Sequence, residues 1–139
     1  MSVDYTATAA TTTAPAAGAL VRRGALAAVL AGIATAAVAA VGQAAGISLE
    51  VAGAPIPVTG FAVLTVVFAG VGLLIALLLR RFVASPRTAW FRITVALTVV
   101  SWVPDVLADA ATSTKALLML THLVAAAIVI PAVARRLRR

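Results

Sequence analysis

Four long apolar runs make up most of this chain, separated by short stretches that are polar or rich in helix breakers. The first, residues 24–49, carries no charge and follows Arg22 and Arg23. It is longer than the roughly 20 residues needed to cross a ~30 Å hydrocarbon core. Gly53, Pro55 and Pro57 interrupt the pattern after Glu50, since proline biases the residue before it away from helix. A second run, residues 59–79, stops at Arg80 and Arg81. A turn at Ser85, Pro86 and Arg87 leads to a third, residues 88–110, with Trp90 and Phe91 near its start, where interfacial aromatics belong. Residues 111–114 read as a tight polar turn, and residues 115–134 form a fourth run closed by Arg135, Arg136, Arg138 and Arg139.

The pattern predicts helices over about 24–45, 59–79, 88–110 and 115–134. Short connections between them predict an all-α fold, a four-transmembrane-helix antiparallel bundle forming one domain over 22–139. Residues 1–21 are rich in Thr and Ala and lack an apolar period, so they read as a disordered tail. The first run also resembles a signal peptide. Signal h-regions are only about 7–15 residues long, which favours an uncleaved first span.

Composition sharpens this picture. The chain is 63% hydrophobic and 11% charged, against about 25% charged in soluble domains, so it reads as an integral membrane protein. Its net charge of +7 does not point to nucleic acid, because the arginines lie in short clusters between apolar runs and not along one solvated face. The absence of cysteine removes disulfides, thiolate catalysis and thiolate-bound metals. Of the basic residues, only Lys115 falls on the side opposite the tail, the middle loop and the C-terminus. The positive-inside rule therefore places both termini in the cytoplasm, with the protein in the bacterial cytoplasmic membrane.

The candidate chemistry lies in residues 101–109, where Pro104, Asp105 and Asp109 interrupt the third run. A charge at the centre of a membrane helix costs roughly 2.5–3.5 kcal/mol on insertion scales, so such residues face a bundle interior or a wet cavity. At 100° per residue, Thr94, Thr98, Ser101, Asp105, Asp109 and Thr112 share one arc of about 80°. Pro104 leaves the Val100 carbonyl without its amide partner, and Ser101 and Thr98 are near enough to help repair the break. His122 is the single histidine. If the last hairpin turns at Ser113 and Thr114, Asp105 and His122 lie at equal depth, on the order of 10 Å below the outer surface at ~1.5 Å per residue.

Equal depth permits contact without showing it, so one alternative is that the two side chains do not meet; if they do, two readings of the pair remain open. Asp105 and His122 can satisfy each other and lock helix register. Alternatively they form a catalytic or proton-carrying pair, beside a cavity lined by Ser101, Thr98, Thr121 and Asp109 that admits a small apolar or cationic ligand. Gln43 and Thr35 are further candidates for that lining, and Asp109 with Lys115 reads as a rim pair. One His and two Asp fall short of the usual metal sets, and the expectation is no metal and no cofactor. Small residues recur at Ala28, Gly32, Ala36 and Ala40, a pattern that lets membrane helices approach closely. A second copy or another membrane protein is therefore a candidate partner, beside the lipid bilayer.

The basic start, the Gly-Ile-Ser-Leu-Glu-Val exit at 46–51, Ser101-x-x-Pro104-Asp105 and the Thr-His-Leu-Val-Ala-Ala segment at 121–126 together resemble a family of small four-helix membrane proteins of unknown function from actinobacteria. The resemblance covers about residues 20–135. It implies the four-helix fold and carries no activity with it. The reading favoured by the residues is a structural or accessory membrane protein; the alternative is a membrane-embedded enzyme or proton-coupled transporter using Asp105 and His122. A reporter active only in the periplasm should be silent when fused after Arg139. Activity there would reverse the orientation.

Overall fold

A computed structural model describes residues 13–137, with side chains from residue 17 onward. The chain forms α1 (Thr13–Ala44), a hairpin of two-residue strands β1 (Glu50–Val51) and β2 (Ala54–Pro55), then α2 (Val58–Phe82), α3 (Pro86–Leu107) and α4 (Thr112–Ala134). All four helices are long and apolar enough to cross a membrane. The expected four-helix architecture is present.

Helix α1 is organised around small side chains. Between Gly24 and Gly42 its buried residues are Gly24, Ala27, Ala28, Ala31, Gly32, Thr35, Ala39 and Gly42, all of them Gly, Ala or Thr. Such a face lets two helix backbones come close, and α1 accordingly packs along both α2 and α4. A Cβ added at Gly32 would lie 3.2 Å from the Ala62 carbonyl oxygen of α2 and 3.0 Å from a Val66 methyl. Thr35 adds a polar stitch to the same interface, sharing a hydrogen bond with Thr65 (3.0 Å). Of the expected Ala28, Gly32, Ala36 and Ala40 set, Ala28 and Gly32 are buried inside the bundle while Ala40 is exposed.

Two apolar clusters mark the ends of the bundle. Leu20, Ala76, Leu79, Trp90, Val133, Ala134 and Leu137 pack together at the arginine-rich end. Ala39, Leu49, Phe61 and Leu117 pack at the other. Consecutive helices are therefore antiparallel. Helix α3 packs along α4 and meets α2 less extensively; Trp90 joins the arginine-end cluster with Ala76 and Leu79 of α2, and its indole N–H donates to the Ile130 carbonyl of α4 (3.0 Å).

Several boundaries differ from expectation: α2 runs on to Phe82, three residues past the expected 79, and α3 starts at Pro86, two before the expected 88. Helix α1 takes in residues 13–21, which the sequence assigned to the tail; fully buried Leu20 in the arginine-end cluster gives these turns a packing partner that a helical period search from residue 24 does not reveal. The remainder of that tail, residues 1–12, lies outside the described residues. Helix α3 ends at Leu107, three residues early, and α4 begins at Thr112, three residues before the expected 115. The hairpin supplies a reason: the Ala52 N–H donates to the Asp109 carbonyl (2.7 Å), and Thr114 donates through its hydroxyl to the Ser48 carbonyl. Ala52 takes a φ of 52° and Gly53 one of 76°, the left-handed pair that a two-residue hairpin turn demands. The loop after α1 thus fastens the connection between α3 and α4.

Because the Gly32 contact is with backbone, which cannot yield, Gly32→Val should lower stability in detergent by about 1–3 kcal/mol. Gly70→Ala, with open space around it, should stay within about 0.5 kcal/mol. Equal thermal or denaturant midpoints for the two variants would contradict this packing.

Candidate functional site

Asp105 stands in the last turn of α3 and His122 ten residues into α4, about 15 Å from the start of α4 at ~1.5 Å per residue. The early end of α3 leaves residues 108–111 to climb beside α4, with Ala108 and Ala111 both extended (ψ 145° and 148°). Asp105 therefore sits near a helix end and not within an unbroken span. The register holds nonetheless: His122 Nδ1 lies 3.0 Å from Asp105 Oδ2.

The same Nδ1 lies 3.0 Å from the Leu118 carbonyl one turn back on α4. One ring proton cannot be directed well at both. Carried on Nδ1, it is aimed at Leu118, and Asp105 Oδ2 is buried with no well-directed hydrogen bond. The contact with Asp105 is thus one of proximity and charge. The Asp105 side chain is 10% exposed and that of His122 40%, so one edge of the imidazole faces outward from the bundle. Burying a carboxylate costs free energy unless a partner compensates, and here the imidazole is the nearest compensating group.

The hydroxyls do not converge on this pair. Thr94 donates to the Trp90 carbonyl (2.7 Å), Thr98 to Thr94 (2.8 Å) and Ser101 to Thr98 (2.7 Å). Thr121 donates to Leu118 (2.7 Å). Each serves its own helix. Side chains on a helix lean toward its N-terminus, so Ser101 and Thr98 reach carbonyls three or four residues back, and neither donates to the Val100 carbonyl that Pro104 leaves open. The polar arc also ends early, because Asp109 and Thr112 lie beyond the end of α3.

Asp109 is exposed, and its backbone, not its carboxylate, makes the contact described above. The expected rim pair with Lys115 is not formed. Lys115 Nζ instead donates to the Val106 carbonyl (2.9 Å), one of the last carbonyls of α3, which lack amide partners and attract cations. Thr35 is committed to α2, and Gln43 is exposed, so neither joins Asp105. Among the described residues no three His, Asp or Glu side chains gather as a metal set.

An open groove of about 260 Å³ runs along α3, lined by Val99, Trp102, Val103, Val106, Leu107 and, from α4, Met119. Its walls are apolar, and neither Asp105 nor His122 lines it. Sequence reasoning missed this groove, although Val99, Trp102, Val103 and Val106 recur at the spacing of one helix face. Trp102 Nε1 is buried beside it without a hydrogen-bond partner.

Residues 15–139 match a family of unknown function, DUF6069. The chain belongs to that family. No curated protein and no solved structure matches it. The four apolar helices indicate a multi-pass membrane protein, and family membership brings no activity to the Asp105–His122 pair.

A double-mutant cycle with Asp105→Ala and His122→Ala should show a favourable coupling of about 0.6–1.7 kcal/mol, the range of polar contacts between membrane helices. Additive losses in detergent unfolding would mean that the two side chains do not interact.

Proposed function

We propose that this protein is a structural or accessory bundle of the bacterial, and specifically actinobacterial, cytoplasmic membrane, with both termini in the cytoplasm and the Asp105–His122 pair serving to hold α3 against α4. The observation that carries this reading is the way polar groups are spent. Thr94, Thr98, Ser101 and Thr121 each bond to their own helix, and the groove on α3 is lined by apolar side chains. A site that recognises a small molecule places a few converging polar groups in a concave wall. Here the polar groups turn away from one another. The outward edge of His122 and the open flank of α3 leave room for another membrane protein or a second copy.

One observation favours a second reading, that of a proton-handling enzyme or transporter. Asp105 Oδ2 is buried without a directed hydrogen bond beside a half-exposed imidazole, and intramembrane ionisable groups of this kind mark proton relays. The two readings separate on one substitution. In cells lacking the native protein, Asp105→Asn expressed at normal level should restore whatever the wild type restores. Purified wild-type protein in liposomes carrying a pH-sensitive dye should move no more protons than Asp105→Asn. Loss of both functions with normal expression would replace the accessory reading with the proton-handling one.

A further inference from the structure

The arginine-rich end of the bundle contains one side chain that behaves unlike its neighbours. Arg22, Arg23, Arg81, Arg87, Arg92, Arg135 and Arg136 are exposed, and two of them lie over aromatic rings, Arg81 at 5.7 Å from the centre of Phe82 and Arg87 at 6.0 Å from that of Phe91. Arg80 alone among the described arginines is partly withdrawn, and its Nη1 is buried with no hydrogen-bond partner. A charged donor left unmatched in this way is expensive, so the position asks for an acceptor.

The fold explains why Arg80 is withdrawn. It follows Leu73 by seven residues, two helical turns, and therefore occupies the same face of α2. That face meets α1, because a Cβ at Gly24 would lie 2.6 Å from a Leu73 methyl. Ala76, one turn before Arg80, is fully buried. The guanidinium is thus carried to the place where the end of α2 faces the first turns of α1. No protein carboxylate waits there among the described residues: Glu50, Asp105 and Asp109 belong to the opposite end, and the described ion pair is Asp105 with His122. Asp4 precedes the described residues.

We infer that Arg80 anchors a site for the phosphate of an anionic phospholipid, where the end of α2 meets the start of α1. Arginine presents a planar fork of donors suited to phosphate oxygens. Arg80 also follows the uncharged part of α2, which begins at residue 58, and so lies at the level at which an apolar span of this length reaches the headgroups. Basic pockets between membrane helices bind anionic headgroups in this manner, and the surrounding exposed arginines raise the local concentration of anions. The chemistry recognised is a phosphate; membrane lipid is the source always adjacent to that position.

The test uses the full chain in nanodiscs of phosphatidylcholine containing a minor share of phosphatidylglycerol, with retained lipid counted by native mass spectrometry after release. Wild type should retain phosphatidylglycerol, Arg80→Gln at least fivefold less, Arg80→Lys an intermediate amount, and Arg87→Gln an amount within twofold of wild type. Equal melting temperatures of wild type and Arg80→Gln in pure phosphatidylcholine would show that the loss is not misfolding. Should Arg80→Gln not fold, the graded loss in Arg80→Lys carries the test. Protection of wild type, but not of Arg80→Gln, by millimolar inorganic phosphate in pure phosphatidylcholine would support the phosphate site and overturn its lipid source. Equal retention by wild type and Arg80→Gln, or equal losses in Arg80→Gln and Arg87→Gln, would overturn the site itself.

Discussion

The close approach of α1 to two neighbours at once is the constraint on which the rest of the bundle depends. Lipid tails are as apolar as Leu, so membrane helices gain little by merely hiding hydrophobic surface and associate through packing and interhelical hydrogen bonds. A helix whose buried positions from Gly24 to Gly42 are all Gly, Ala or Thr presents a thin, smooth face. It can lie deep between α2 and α4 with Thr35, among the described residues, as its single polar side-chain tie across to α2. The large side chains of α1, among them Leu26, Leu30 and Ile33, point outward to where lipid takes over.

That arrangement leaves α3 as the helix with the least support. It packs against α4 and meets α2 less extensively, with Trp90 in the cluster that includes Ala76 and Leu79 of α2. Polar contacts with α4 fasten it near each end: the Trp90 indole on the Ile130 carbonyl at its start, and Asp105 beside His122 with Lys115 Nζ on the Val106 carbonyl at its end. A further tie comes from outside the helices, where the loop after α1 grips the Asp109 backbone through Ala52. The proposed structural reading thus accounts for the unusual residues of α3 without a substrate. An open flank with an apolar groove remains, consistent with a helix designed to meet lipid or a neighbour.

Much of this was legible in the sequence because membrane spans are constrained by backbone hydrogen bonding and thickness. The four runs became four helices, and Asp105 and His122 met as the equal-depth count expected, although residues 113–114, its assumed turn, lie in the first turn of α4 and the connection runs through residues 108–111 instead. What escaped reading depended on partners distant in the chain. Nothing local told that Ala52 would adopt a positive φ or that its amide would take the Asp109 carbonyl, and so the early end of α3 could not be placed. Lys115 had a visible acidic neighbour in Asp109 yet went to the Val106 carbonyl, which exists as a free acceptor only because the helix stops. The polar arc counted hydroxyls by angle and missed that each would bond backward along its own helix. Residues 13–21 looked unstructured because their fixing contact, Leu20, lies against residues more than fifty positions away.

The most direct measurement is magic-angle-spinning NMR of the protein in lipid, with the His122 ring nitrogens and the Asp105 carboxyl carbon labelled. The structure predicts a through-space correlation between Nδ1 and the Asp105 carboxyl, together with a proton on Nδ1 directed at the Leu118 carbonyl. An imidazole protonated only at Nε2, with no correlation to Asp105, would show that α3 is not held to α4 by this pair.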